Sequence, residues 1–305
     1  MLMCLLHPNT LFIIGNGFDL FHGLRTSYSD FEQFISRERI YEEFGEFFDI
    51  KTNGDRLWNN FENDLHTISP GKMVEYYKEF DVLDEDFRPS FIYSLEDELS
   101  ERVEHLPTEI SNKLAEWIRA LPQPKTADLE RSKKLLKLGL NAKFISFNYT
   151  STLTSIYNIN RKNIYYIHGN AEETDELIFG HGVENCLYPV PPIFDESNEP
   201  TRHFYSDSED AARGLFNLLK KPVEDVLPKL KSHCEGIGKI DNIIVLGHSL
   251  GDVDLQYFQF LRTFFPEATW ALSYYNKADL NRIKQFKKII DFPGKLKIIK
   301  VFAIN

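Results

Sequence analysis

Five apolar runs in this chain end in residues that can do chemistry. Leu11-Phe12-Ile13-Ile14 runs into Gly15-Asn16-Gly17-Phe18-Asp19, and Phe144-Ile145-Ser146-Phe147 runs into Asn148-Tyr149-Thr150. Tyr165-Tyr166-Ile167 is followed by His168-Gly169-Asn170, and Leu177-Ile178-Phe179 by Gly180-His181-Gly182. Ile243-Ile244-Val245-Leu246 delivers Gly247-His248-Ser249, then Asp252 and Asp254. Glycine lets a backbone approach a ligand closely, and the amides beyond it can face an anion. An asparagine amide can position a water or a hydroxyl, and a histidine can move a proton near neutral pH. Small polar residues are ordinary turn chemistry, which accounts for the glycines. Histidine is not a standard turn residue, so His168 is the leading candidate for a base; a buried structural histidine is the competing reading.

These ends need a scaffold. Runs at 10–16, 142–148, 163–168, 176–180, 241–247, 269–275 and 296–302 are mostly continuous and apolar, with β-branched residues, as in strands buried on both faces of a parallel sheet. In such sheets ligands bind outside the carboxyl ends of the strands. The long stretch between the first two strands shows apolar residues at three and four spacing in 28–48, 88–106 and 110–121, which predicts helices. An ordinary crossover is far shorter. The expected organisation is therefore an α/β core of 1–31 and 136–305, mostly parallel, with a helical insertion or cap at 32–135. Further helices are expected at 208–220, 222–233, 253–265 and 277–290. The proline-rich stretch 187–203 reads as a long loop, either a lid or plain surface. The glycine turn departs from a dinucleotide fingerprint: its third glycine is Leu20, and no acidic residue ends a second strand about twenty positions on.

The 305 residues are 42% hydrophobic and 27% charged, with 25 Phe and 14 Tyr, enough for a large core. A net charge of −11 argues against a broad nucleic-acid surface. The cluster Arg131, Lys133, Lys134 and Lys137 is either a local basic groove or, more simply, a solvated helix face. Cys4, Cys186 and Cys234 form no C-x-x-C pair, so neither a zinc ribbon nor a disulfide framework is expected. No run approaches the ~18 apolar residues of a membrane span. Residues 1–6 are apolar but too short for a signal peptide, so a cytoplasmic setting is expected. Gly247-His248-Ser249-Leu250-Gly251 matches a nucleophile elbow, yet no histidine follows Ser249, where an α/β-hydrolase would carry one.

Phe12 to Leu20 with Thr26, Tyr28 and Asp30-Phe31, then Phe147-Asn148-Tyr149-Thr150, Ile167-His168-Gly169 and Gly247 to Asp254, resemble in order the AbiH family of bacterial abortive-infection proteins. The same blocks are more distantly similar to sirtuin-like NAD-binding domains. Asn148 falls at the sirtuin Gln-Asn-Ile-Asp block, His168-Gly169 at the catalytic His-Gly, and Gly247 to Leu250 at the late ribose contact. The resemblance implies a Rossmann-like, sirtuin-like fold and a phage-defence effector that hydrolyses NAD, its substrate, to nicotinamide and ADP-ribose without a metal. The four-cysteine zinc module is missing and Thr150 replaces the second acid of the asparagine block, so deacetylation is not expected. In this scheme Gly15, Asn16 and Gly17 hold the pyrophosphate, and Gly247 and Ser249 the adenosine ribose. Asn148 positions water or a hydroxyl, His168 accepts a proton, and Asp30 lies near the nicotinamide ribose. Asp19, Thr26 and Asp254 complete the nucleotide-binding set, and His181 is a weaker polar contact. A toxic activity needs control, so the helical insertion is the candidate for homo-oligomerisation or for sensing a phage-derived trigger. Two other readings stay open: an NAD or ADP-ribose sensor without turnover, and a nuclease or serine hydrolase. Asp19, Asp252 and Asp254 could hold a metal for the nuclease.

Overall fold

The computed structural model describes residues 9–49, 58, 60–174, 176–292 and 296–300. Six strands form one sheet: β1 (Thr10–Ile14), β2 (Lys143–Ser146), β3 (Ile164–Tyr166), β4 (Asn242–Leu246), β5 (Thr269–Tyr274) and β6 (Leu296–Lys300). Every pairing is parallel and the order is β3-β2-β1-β4-β5-β6. The helices are α1 (Asn16–His22), α2 (Tyr28–Ile35), α3 (Arg39–Phe47), α4 (Phe61–Asp64), α5 (Pro70–Tyr77), α6 (Ser90–Ala120), α7 (Thr126–Arg131), α8 (Thr152–Ser155), α9 (Ser206–Leu218), α10 (Val223–Ile237), α11 (Leu255–Phe264) and α12 (Lys277–Ile289).

The continuous apolar strands follow from burial on both faces. In β1, Leu11 and Ile13 enter one core cluster, with Ile145, Val245, Tyr257, Phe258 and Trp270. Phe12 and Ile14 enter the other, with Phe144, Tyr157, Tyr166 and Leu246. The period of two sends alternate side chains to opposite faces, so a strand covered on both sides has no polar face to show. Phe12 lies opposite Phe144 in register, and their rings stack at 5.2 Å.

Contacts divide the chain into two compact units. The first contains the chain up to Ser27, Leu114–Ile178 and the chain from Pro222; the second contains Tyr28–Lys113 and Phe179–Lys221. Residues 179–221, read from the sequence as part of the core, thus group with the helical segment. The predicted helices 88–106 and 110–121 are one helix, α6, with Pro107 inside it. Proline removes one backbone donor from a helix, but Leu99, Val103, Leu106, Ile110 and Leu114 are all buried along this one and hold it in place.

The second unit is built on aromatic rings. Trp58 and Phe61 stack at 5.1 Å with 6° between their planes, and Phe31 and Phe44 lie against them. A fully buried carboxylate, Glu43, sits within it. Its Oε1 accepts from Arg39 Nε at 2.7 Å and Tyr77 Oη at 2.8 Å, and its Oε2 accepts from Arg102. Burial and the Glu43 carboxylate both push the Tyr77 hydroxyl pKa upward.

The expected strand at 176–180 is absent from the sheet. Leu177 and Phe179 are buried, which explains the apolar run, but burial here comes from packing rather than pairing. Ile178 N donates to His168 O, beyond the end of the three-residue β3. Gly180 then turns at φ +137°, where an added Cβ would lie 2.4 Å from Leu219 O.

Candidate functional site

The sheet order reverses direction on either side of β1, so the crevice at the carboxyl ends of β1 and β4 is a topological switch point. Two loops meet there, backbone against backbone. Gly15 N donates to Leu246 O at 3.0 Å, and Gly17 N donates to Gly247 O at 2.7 Å. A Cβ at Gly15 would lie 2.5 Å from His248 Cα, and one at Gly17 would lie 2.8 Å from Gly247 O. Gly247 has φ +66°, and its Cβ would lie 2.1 Å from Phe18 N. These glycines are required by the close approach of the two loops. The expected phosphate cradle at Gly15, Asn16 and Gly17 therefore loses two of its donors, since Gly15 N–H goes to Leu246 O and Gly17 N–H goes to Gly247 O. Asn16 is exposed and donates its side-chain amide to Thr26 O at 2.6 Å, tying the turn after α1 back to its start. Thr26 itself is buried.

Beneath the loops lies a buried polar floor. Asp19, on α1, is fully buried. Its Oδ2 accepts from Thr150 Oγ1 at 2.6 Å and Asn148 Nδ2 at 3.0 Å, and Thr152 donates to Thr150 at 3.1 Å. Asn148 Nδ2 also donates to Gly15 O at 3.1 Å, so the end of β2 is clamped to the end of β1. Burial raises the Asp19 pKa from 3.8 to about 6, against the lowering effect of its hydrogen bonds from Thr150, Thr152 and Asn148. Asp19 Oδ1 and Asn148 Oδ1 are buried and, among the described residues, accept no hydrogen bond. A buried acceptor left in this state is destabilising until a donor reaches it.

Beside the floor, His168 at the end of β3 is 3% exposed. Its Nε2 lies 3.7 Å from Asp254 Oδ1, and His248 Nε2 lies 3.5 Å from Asp254 Oδ2. Phe147 meets both imidazoles nearly at right angles, with centroid distances of 5.1 Å to His168 and 4.5 Å to His248. Asp254 occupies the N-cap position of α11 but makes no capping hydrogen bond from its side chain. Its carboxylate faces the histidines instead.

The other predicted residues divide. Ser249 and Asp252 are exposed. Asp30 belongs to the second unit, on α2. His181 also belongs there, and both its nitrogens are committed: Nε2 donates to Phe216 O at 2.9 Å and Nδ1 accepts from Val183 N at 3.3 Å. Burial lowers its pKa to about 4. It is a structural histidine, so its expected ligand contact is withdrawn. Asp19 is enclosed by Thr150 and Asn148 while Asp254 faces two histidines. Among the described residues no group of three His, Cys, Asp or Glu side chains is arranged to hold a metal. No histidine is hydrogen-bonded to Ser249 among those residues, which leaves the nucleophile-elbow reading without a base. The sequence placed Thr150 and His248 at strand ends but assigned neither a role in the site. Thr150 stands two residues after Asn148, the spacing that returns a side chain to the same face of an extended segment.

An all-parallel, doubly wound sheet with buried carboxylate, amide and imidazole groups along its carboxyl rim defines an α/β protein with a candidate ligand site at the switch point. The model of the family "Bacteriophage abortive infection AbiH" matches residues 11–274, and the chain belongs to that family. No curated protein and no solved structure matches the chain. Among the described residues no helix is long and apolar enough to cross a membrane.

Proposed function

We propose that this abortive-infection protein is an effector that hydrolyses NAD to nicotinamide and ADP-ribose at the carboxyl rim of its sheet. The observation that carries the reading is a pair of buried polar contacts among the strand ends, Asp19 with Asn148 and His168 with Asp254, in an order of strands that binds dinucleotides elsewhere. Distant similarity to sirtuin-like domains at Asn148 and at His168-Gly169 points to the same substrate. In the reaction, water adds to C1 of the nicotinamide ribose. The C1–N bond breaks, and its electron pair leaves with the ring nitrogen, neutralising the pyridinium. Asn148 holds the attacking water and His168 takes its proton, which later passes to solvent. The transition state resembles an oxocarbenium ion, so a nearby carboxylate stabilises it. Asp19 and Asp254 are the candidates. Ser249 holds the adenosine ribose, with Gly247 setting the close approach of the two loops, and the pyrophosphate is held by the exposed face of the Asn16 turn rather than by the Gly17 amide.

The helical segment is the proposed site of control, through self-association or a phage-derived trigger. Purified chain incubated with NAD tests the reading. The expected result is release of nicotinamide and ADP-ribose by the wild type and not by Asn148→Ala or His168→Ala. Stoichiometric binding of NAD with no product would replace hydrolysis by sensing. The buried oxygens of Asp19 and Asn148 that receive no donor among the described residues favour that second reading, because a ligand can satisfy them without being cleaved.

A further inference from the structure

The second unit holds an aromatic cleft that the proposed chemistry does not use. Its sides come from the end of α5, the loop that follows, the start of α6 and Tyr205 just before α9. Four half-buried rings line it. Phe80 and Phe91 stack at 4.7 Å with 13° between their planes, and Phe87 meets Phe91 edge-on at 6.4 Å. Tyr205 Oη donates to Phe80 O at 3.2 Å. The loop between the rings is held in consecutive turns: Asp84 N donates to Asp81 O and Phe87 N to Asp84 O, both at 3.0 Å. A cleft fixed in this way costs little ordering when a partner binds.

Apolar surface continues beyond the cleft. The three most exposed large apolar side chains among the described residues are Leu83 at 89%, Tyr93 at 69% and Phe204 at 66%. Each stands next to the lining segments: Leu83 between Phe80 and Phe87, Tyr93 between Ile92 and Ser94, and Phe204 beside Tyr205. Single exposed apolar residues need no explanation, but their concentration around one cleft marks an interaction surface.

The charge around the cleft selects the partner. Glu79 and Glu98 are exposed on its walls, and Asp84, Glu85 and Asp86 are exposed in its loop. Lys78, the one cation of the lining, is paired with Glu75 at 2.7 Å and Asp81 at 3.2 Å and lies 5.7 Å from the centre of the Tyr205 ring. A ring of this cleft therefore already carries a cation over its face, flanked by carboxylates. A guanidinium suits the remaining rings and acids, because it stacks on aromatic faces and forks onto a carboxylate. A second copy of the chain would bring the same acidic segment against itself, and nucleic-acid phosphates would be repelled.

We propose that this cleft docks an arginine-rich, apolar segment of a partner protein, with apolar side chains of the partner against the rings and its arginines on Glu79 and Glu98. That docking here governs the site on the sheet rests on the proposed control role of the helical segment; the docking itself does not.

The test is fluorescence polarisation of the full chain with a labelled peptide in which arginines flank a Leu-Phe-Leu centre. The expected result is saturable binding that weakens with added salt. Glu98→Lys should weaken it about 10-fold, and Phe87→Ala about 5-fold. Circular dichroism checks that each variant is folded, and the exposed position of Glu98 keeps one variant usable if Phe87→Ala is not. Glu235→Lys, the same charge change at an exposed position of the first unit, should alter binding less than about twofold. Equal weakening by Glu235→Lys, or equal binding of a peptide with a Gly-Ser-Gly centre, would reduce the effect to general attraction and overturn the cleft. So would an absence of binding at millimolar peptide. Cleft variants that change only self-association in sedimentation would overturn it too, assigning the surface to a second copy. These readings hold whether or not the protein cleaves NAD. In a protein that does cleave NAD, saturating peptide should change turnover; unchanged turnover would uphold the docking and overturn its role in control.

Discussion

Replacing Asp19 by Asn should make the stability of the protein depend less on pH, in a direction fixed by burial. The carboxyl titrates at 3.8 in an unfolded chain and at about 6 in the folded one. Its folded pKa is raised, so the native state binds the extra proton between these values. The protonated form carries no penalty below pH 3.8, and the penalty grows as pH rises through about 6. A shift of about two units corresponds to about 3 kcal/mol at pH 8, of which about 2–3 kcal/mol develops above pH 4. Asparagine keeps the shape, and its side-chain oxygen can still accept from Thr150 and Asn148, but it has no proton to lose. Urea unfolding of wild type and Asp19→Asn at pH 4 and pH 8 isolates the effect, because other titrating groups cancel in the difference. The variant should gain about 2–3 kcal/mol on the wild type between the two pH values. A difference that stays constant with pH would mean that Asp19 is not a buried, ionising carboxylate, and the polar floor would need a different account.

Three further substitutions probe the scaffold. Gly247→Ala puts a Cβ 2.1 Å from Phe18 N on a residue at φ +66°. Left-handed strain and overpacking together should destabilise the fold by about 2–5 kcal/mol in urea titration, and a change below about 0.5 kcal/mol would refute the close approach of the loops. Glu43→Gln leaves Arg102 and Arg39 facing a neutral amide in the second unit and should lower unfolding stability by about 2–4 kcal/mol; an unaffected midpoint would count against the buried ion cluster. Ser249→Ala should raise KM for NAD by about 2–10-fold, one hydrogen bond, with kcat kept. Complete loss of kcat there would revive the serine-nucleophile reading.

Much of the first unit could be read from residue types. Strands buried on both faces leave uninterrupted apolar runs, and six of the seven runs are strands of the sheet. The exception, 176–180, shows the limit: Leu177 and Phe179 are apolar because they are buried, and burial alone does not distinguish a paired strand from a packed turn. Glycines at 15, 17 and 247 marked a place where backbone comes close to something. The sequence could not say that the something is the neighbouring loop. Asn148 and His168 were legible as polar strand ends, and the structure gives them Asp19 and Asp254 as neighbours. His248 looked like part of a serine motif, because its meeting with Asp254 depends on the turn at Leu250. The Glu43–Arg102 contact joins positions on two helices, and no spacing rule predicts it.

The cellular NAD pool tests the central claim most directly, measured after induction of the wild type and of His168→Ala, with and without phage. The account predicts that NAD falls in cells carrying the wild type once the protein is active, and stays intact with His168→Ala. A pool that stays intact with the wild type in every condition would contradict it.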